Sequence, residues 1–137
     1  MLTKEDIILV FLDNPNKLAT EIWKGNVPKS DESRTLICNL GDPMCAYYYT
    51  SFVDKKPTDE TRTVACKTPQ CAYGYARDVD KKPTDETRTA ACKDPYEAYC
   101  YARDIDKKST DETREAAYKN EVWGRTYELW ENSLKKI

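Results

Sequence analysis

Histidine is absent from this sequence of 137 residues. Its absence excludes imidazole metal ligands, the usual general base, and the Ser-His and Cys-His pairs of nucleophilic enzymes. Long apolar segments are also absent, because the longest run, residues 7–12, has six residues and is too short to cross a bilayer. The N-terminus has no basic start followed by a long apolar stretch, so no secretory signal is predicted. These absences predict a soluble, cytoplasmic protein without membrane association.

A strong charge imbalance is lacking as well. The 22 basic and 24 acidic side chains give a net charge of −2, which argues against a strongly electrostatic nucleic-acid binder. The sequence contains no glycine-rich phosphate loop, no calcium loop and no nucleophile–base pair. We therefore predict neither enzymatic activity nor a cofactor.

What the sequence does contain is an internal repeat of 26 residues. Residues 53–63 recur unchanged as residues 79–89, and they return with three substitutions as residues 105–115. Pro43, Pro69 and Pro95 keep the same spacing. Divergent copies precede and follow the clear ones, which makes about five repeats with atypical ends, as a capped array requires.

Each repeat is predicted to form two short helices. The first begins at a threonine N-cap followed by Asp-Glu, whose negative charge suits a helix N-terminus. These caps are Thr58, Thr84 and Thr110. The second helix begins at Asp94-Pro95 or its equivalent, and Glu97, three residues after Asp94, predicts a capping box.

Apolar residues on the second helix recur with helical spacing, for example Ala98, Tyr101, Ala102 and Ile105. A helix pair this short cannot bury its own apolar face, whereas stacked neighbours can. The sequence thus predicts an all-α fold, a short α-solenoid of about five helix-turn-helix repeats with divergent capping repeats. We expect about ten helices in a single domain over residues 1–137.

The combination of an Ala-Tyr-x-Tyr-Ala helix, Val-Asp-Lys-Lys-Pro, Asp-Glu-Thr-Arg and Ala-Cys-Lys-Asp-Pro extends over residues 30–119. It resembles the short tandem helical repeats of uncharacterised proteins from bacteriophages and large DNA viruses. The resemblance implies an α-helical array and a viral origin. It also raises the hypothesis of a binder that blocks a host defence complex, as anti-CRISPR proteins do.

Six cysteines offer candidate chemistry. No Cys-x-x-Cys pair is present, and Cys38, Cys66 and Cys92 occupy one repeat position beside small inward residues. This pattern favours half-buried free thiols that were copied with the repeat. Disulfides such as Cys38–Cys45 or Cys66–Cys71, a zinc site and a reactive thiol remain alternatives.

Arginine and tyrosine also recur once in each repeat. One arginine series is Arg34, Arg62, Arg88 and Arg114. A second series combines Tyr47, Tyr73 and Tyr99 with Arg77 and Arg103. Tyrosine and arginine four residues apart share a helix face and can stack, which predicts a strip that binds a phosphate backbone, a nucleotide or an acidic protein surface. Stacking and salt bridging between repeats, with Asp78, Asp104 or the first-turn acids, is the structural alternative.

Departures from the repeat are the other candidate sites. Tyr48 and Phe52 replace Gly74 and Asp78, and their spacing predicts one aromatic patch that binds a partner or packs against the divergent first repeat. Trp123, Tyr127 and Trp130 are predicted to close the last repeat's core. Trp23 is predicted to close the first repeat in the same way.

We therefore predict a non-enzymatic protein–protein interaction module, in its sharpest form a phage-encoded inhibitor of a host defence complex that acts by steric blocking. Nucleic-acid or nucleotide binding along the Arg/Tyr positions is the alternative function. The predicted partner-binding residues are Tyr47, Tyr48, Phe52, Tyr73, Arg77, Tyr99 and Arg103.

Overall fold

A computed structural model describes residues 1–136, and within them the chain forms ten α-helices and no β-strand. The helices are α1 (Lys4–Asp13), α2 (Pro15–Trp23), α3 (Asp31–Leu40), α4 (Pro43–Tyr48), α5 (Asp59–Ala65), α6 (Pro69–Tyr75), α7 (Asp85–Ala91), α8 (Pro95–Tyr101), α9 (Asp111–Ala117) and α10 (Glu121–Leu134). The predicted all-α helical-repeat fold is confirmed.

The first helix of each clear repeat starts where its threonine was predicted to cap it. The Thr84 hydroxyl accepts the Thr87 backbone N–H at 3.2 Å, and Thr58 and Thr110 cap α5 and α9 in the same way. Each of these helices has an Asp-Glu pair in its first turn. Local hydrogen bonding and the helix dipole therefore define these N-termini.

The second helices begin at an Asp, Asn or Thr N-cap, and all except α10 have proline at the first position. The Asp94 side chain accepts the Glu97 N–H at 3.0 Å. The predicted capping box is wrong, because the Asp94 N–H donates to the Ala91 carbonyl at 3.2 Å and not to the Glu97 side chain. The Glu97 side chain is instead buried, and burial raises the pKa of its carboxyl group.

Three of the second helices continue into a wider π-helical segment. These segments are Tyr49–Asp54 after α4, Ala76–Asp80 after α6 and Ala102–Asp106 after α8. Each ends at a lysine in the left-handed region, namely Lys55, Lys81 and Lys107, with φ of 58°, 56° and 58°. A lysine at this position places a cation near the carbonyl end of the helix, where it interacts favourably with the dipole.

Two compact units make up the chain, an N-terminal unit (Met1–Lys67) and a C-terminal unit that starts at Thr68. The core of the N-terminal unit contains aliphatic residues of its first three helices together with Tyr49. Its buried members include Ile7, Leu18, Ile22 and Ile37. A single domain over residues 1–137 stays a prediction.

Helix α3 is longer than its counterparts in later repeats, because two extra residues lie near Leu40 and Gly41. Gly41 ends the helix at φ 77°, and its N–H donates to the Cys38 carbonyl at 3.1 Å. This left-handed conformation favours glycine. The insertion therefore extends α3 and then terminates it.

Alanine and tyrosine form the core of the C-terminal unit. Tyr101 packs with Ala76 and Ala91, and Tyr127 packs with Ala102 and Ala117. The small side chains allow close helix approach.

Both tyrosines are fully buried, and both hydroxyls find hydrogen-bond partners on the preceding helix. The Tyr101 hydroxyl accepts the Thr84 N–H at 3.1 Å and lies 2.8 Å from the Thr87 hydroxyl. The Tyr127 hydroxyl lies 2.8 Å from those of Thr113 and Ser109. Each tyrosine thereby joins the core to the start of the neighbouring helix.

Candidate functional site

The predicted Arg/Tyr stacking is present in the C-terminal unit. The Arg77 guanidinium carbon lies 5.2 Å from the centre of the Tyr73 ring, and that of Arg103 lies 5.0 Å from the Tyr99 ring. Arg77 donates to both Asp78 carboxylate oxygens at 2.8 Å. These are the cation–π contacts that the four-residue spacing predicts.

Asp104 connects the two Arg/Tyr pairs. It accepts hydrogen bonds from Arg103 at 2.7 and 2.9 Å and from the Tyr73 hydroxyl at 2.5 Å. The Arg103 guanidinium, and then the Tyr73 hydroxyl, hold the pKa of the Asp104 carboxyl below its ordinary value. Burial, followed by the Asp104 hydrogen bond, raises the pKa of Tyr73 to about 12.

These contacts are the ones that the structural alternative predicts. Tyr73 and Tyr99 are half-buried, and Tyr99 also stacks on Trp123 with ring centres 6.1 Å apart. The side chains of Arg77 and Arg103 remain about half exposed, at 50% and 43%. The tyrosines therefore serve contacts within the unit, while the arginines still reach solvent.

The arginine series that contains Arg34 and Arg88 binds carboxylates, each arginine within the unit to which it belongs. Arg88 donates to Asp106 at 2.9 and 2.6 Å, and Arg34 donates to Asp54 at 2.7 and 2.9 Å. Arg88 also pairs with the first-turn Asp85 at 3.0 Å, but this contact lies within one helix, whereas the sequence predicted it between repeats. The deeper partners Asp54 and Asp106 were not predicted, because they lie 20 and 18 residues further along the chain.

The aromatic patch of the N-terminal unit is divided between core and surface. The rings of Tyr48 and Phe52 meet edge to face with centres 5.4 Å apart, and the Tyr47 and Tyr48 ring centres are 5.8 Å apart. Tyr48 packs against the core that contains Ile7 and Tyr49, whereas Phe52 is 45% exposed. Phe52 is therefore the member most available to a partner.

Sequence reasoning missed a more exposed apolar surface on α1. Leu9 and Leu12 are 66% and 72% exposed, although they lie three residues apart and share a helix face. Of the apolar run 7–12, Ile7 alone is buried. The signal was available in the sequence, because six consecutive apolar residues exceed what one buried helix face can accommodate.

The aromatic residues near the two ends of the chain differ in how deeply they are buried. Tyr127 is buried, and Trp130 packs with it at a ring-centre distance of 5.2 Å, so the predicted closure of the last repeat is confirmed. The prediction for Trp23 is wrong, because its side chain is 60% exposed. Ile22 takes the core position, and the next residue along a helix points about 100° away.

The six cysteines are free thiols. Cys38, Cys45, Cys71 and Cys100 are buried, while Cys66 and Cys92 are half-buried. Burial raises the pKa of the Cys38 and Cys92 thiols to about 12. Since the thiolate is the nucleophile and the metal ligand, the raised pKa disfavours both roles for these two thiols at neutral pH.

Among residues 1–136, no three side chains of the cysteine, aspartate or glutamate type are grouped to hold a metal ion. The first-turn aspartates instead point to solvent and pair with arginines three residues later, as Asp59 does with Arg62 at 2.7 Å. The first-turn Glu112 accepts a hydrogen bond from the Thr89 hydroxyl at 3.0 Å. Over the same residues, no helix combines the length and apolar character required to cross a bilayer.

Comparison of the chain with protein-family models, with curated proteins and with solved structures gives no match.

Proposed function

We propose that the protein is a non-enzymatic interaction module that binds another protein through the outer face of α1. The observation that carries the proposal is the exposure of Leu9 and Leu12 on one face of this helix. Surface helices normally present polar residues to water, and apolar faces left exposed mark binding surfaces. Phe52, with Tyr48 behind it, is a second apolar contact region of the same unit.

The charges of α1 indicate the chemistry of the partner. The helix carries one lysine, Lys4, and three carboxylates, Glu5, Asp6 and Asp13. The Asp6 carboxylate accepts the Thr3 N–H at the start of α1, and Asp13 pairs with Lys17 at 2.6 Å. Counted with Lys17, this region has two cations and three carboxylates, so a complementary surface would have an apolar centre and a mixed rim with a slight basic excess.

In its sharpest form, the proposal describes a phage-encoded inhibitor of a host defence complex, comparable to an anti-CRISPR protein. Basic surfaces of such complexes guide nucleic acids, and a protein seated on one would block it sterically. The viral origin is supported by the resemblance of the repeats alone. Six free thiols suit the reducing cytoplasm, where we place the protein.

The alternative, nucleic-acid or nucleotide binding along the Arg/Tyr positions, has less support. The Tyr73 hydroxyl donates a hydrogen bond to Asp104, and the Tyr99 ring stacks on Trp123. Neither ring is therefore arranged as a platform on which a base could stack. The arginines above them are paired with Asp78 and Asp104.

The test is affinity capture from host lysate with a double variant, Leu9→Gln with Leu12→Gln, which keeps helix-forming residues on α1. A matched control, Val122→Gln with Leu129→Gln, removes comparable exposed apolar area from α10, where these residues are 65% and 55% exposed. We expect the wild type and the control to retain one stoichiometric protein complex after nuclease treatment, and the α1 variant to lose it.

Capture that survives the α1 substitutions, or that both variants lose equally, would contradict binding through α1. Capture that disappears with nuclease would favour the nucleic-acid alternative. Circular dichroism melts of all three proteins establish that the variants are folded.

A further inference from the structure

A basic cleft lies in the C-terminal unit, on the side where the turns between repeats emerge. Its volume is about 320 Å³. Four cationic side chains line it, those of Arg77, Lys81, Lys82 and Lys107. Lys81 ends the π-helical segment after α6 and Lys82 follows it, while Lys107 ends the π-helical segment after α8.

The cationic side chains of this cleft outnumber its carboxylates. Lys81, Lys82 and Lys107 are exposed, and Arg77 pairs with Asp78, which lies outside the lining. Asp104 is the acid that lines the cleft, and its two oxygens already accept hydrogen bonds from Arg103 and Tyr73. The cleft therefore presents an excess of positive charge to solvent.

Two of the lysines are held in an unusual backbone conformation. Lys81 and Lys107 have φ of 56° and 58°, in the left-handed region that favours glycine. Lys55 has the same conformation in the N-terminal unit. This conformation ends all three π-helical segments, and in the cleft it fixes where two of the cationic side chains leave the backbone.

Part of the cleft wall is apolar and includes Ile105, which is packed against the core formed around Tyr101. A ligand that fills the cleft would contact both charged and apolar groups. Small-molecule sites have this combination, with volumes from about 300 Å³ upward.

We propose that this cleft binds a small phosphate-bearing ligand of nucleotide size, with the phosphates on Lys81, Lys82 and Lys107. Lysine ammonium groups bind phosphate well, because each provides a compact positive charge and three N–H donors for the phosphate oxygens. The non-phosphate part of the ligand would contact the apolar wall at Ile105. The site is independent of the α1 surface, which belongs to the other unit.

The experiment is isothermal titration calorimetry of the full chain with ATP as the probe, at 150 mM salt to suppress nonspecific attraction (about 8 Å Debye length). We expect saturable binding of one ATP, weakened about tenfold or more by Lys81→Gln with Lys107→Gln. The control variant, Lys93→Gln with Lys119→Gln, removes the same charge from the same unit outside the cleft. We expect its affinity to equal that of the wild type.

Failure of ATP to saturate the protein, or equal weakening by the two double variants, would overturn the site. A 20-residue oligothymidylate is titrated in parallel. Binding of this oligomer with a steep salt dependence, together with no binding of ATP, would also overturn the proposal and indicate a nucleic-acid surface. Thermal melts of both variants confirm that they remain folded.

Discussion

Arg88 and Asp106 form a two-point ion pair in the C-terminal unit, with N···O distances of 2.9 and 2.6 Å. The Asp106 side chain has no exposed surface, and that of Arg88 is 17% exposed. The same guanidinium also reaches Asp85 at 3.0 Å, but the Asp85 side chain is fully exposed. One arginine thus makes a buried and an exposed ion pair simultaneously.

This arrangement allows a matched comparison of two aspartates. We expect Asp106→Asn to lower the free energy of unfolding by about 3 kcal/mol, because it leaves the Arg88 charge without its buried partner. We expect Asp85→Asn to cost under about 1 kcal/mol, as exposed pairs do. Urea unfolding of both variants measures the difference, and equal losses would contradict the dependence on burial.

The buried carboxyl of Glu97 predicts an unusual pH dependence. Its pKa is raised in the folded state, chiefly by burial, so the folded protein binds this proton more tightly than the unfolded chain does. The contribution of Glu97 to stability is therefore largest at low pH, and it falls as the pH rises through the folded pKa.

We accordingly expect Glu97→Gln to raise the melting temperature at pH 7. This advantage over the wild type should disappear as the pH is lowered below the unperturbed pKa of a glutamate side chain. Thermal melts of both proteins between pH 3 and 8 measure the effect (about 4.3 is the unperturbed value). A variant that is less stable than wild type at pH 7 would show that a partner stabilises the Glu97 carboxylate.

The left-handed lysines offer a test of backbone strain. We expect Lys55→Gly to stabilise the protein by up to about 1 kcal/mol, because glycine adopts this conformation without a steric penalty. Lys55→Ala removes the same charge but keeps the Cβ atom, so it should not stabilise. Chemical denaturation measures the free energy of unfolding of both variants. Equal changes would show that loss of the lysine charge, and not relief of backbone strain, alters the stability.

Thiol reactivity provides a fourth prediction. Because burial raises the pKa of Cys38 and Cys92 to about 12, both should react slowly with iodoacetamide at pH 7.5 in the native protein. In urea, all six cysteines should be modified. Intact-mass measurement counts the adducts, and rapid native labelling of Cys92 would contradict its protection. A reductant should leave the melting temperature unchanged.

Helix starts and the repeat period were predictable from the sequence, because they depend on interactions between residues three or four positions apart. Thr84 caps α7 through the N–H of Thr87, and no distant part of the chain is involved. The Arg/Tyr stacking has the same local origin, since Arg77 and Tyr73 are neighbours on consecutive helical turns.

Exposure and long-range pairing were decided only by the tertiary structure. The sequence placed Trp23 in a core, yet Ile22 occupies that place and the indole faces solvent. It could not select Asp106 as the buried partner of Arg88, because several carboxylates lie at plausible distances along the chain. Which side of a helix is covered depends on the neighbours packed beside it, and Leu9 and Leu12 are exposed because no described helix covers that side of α1.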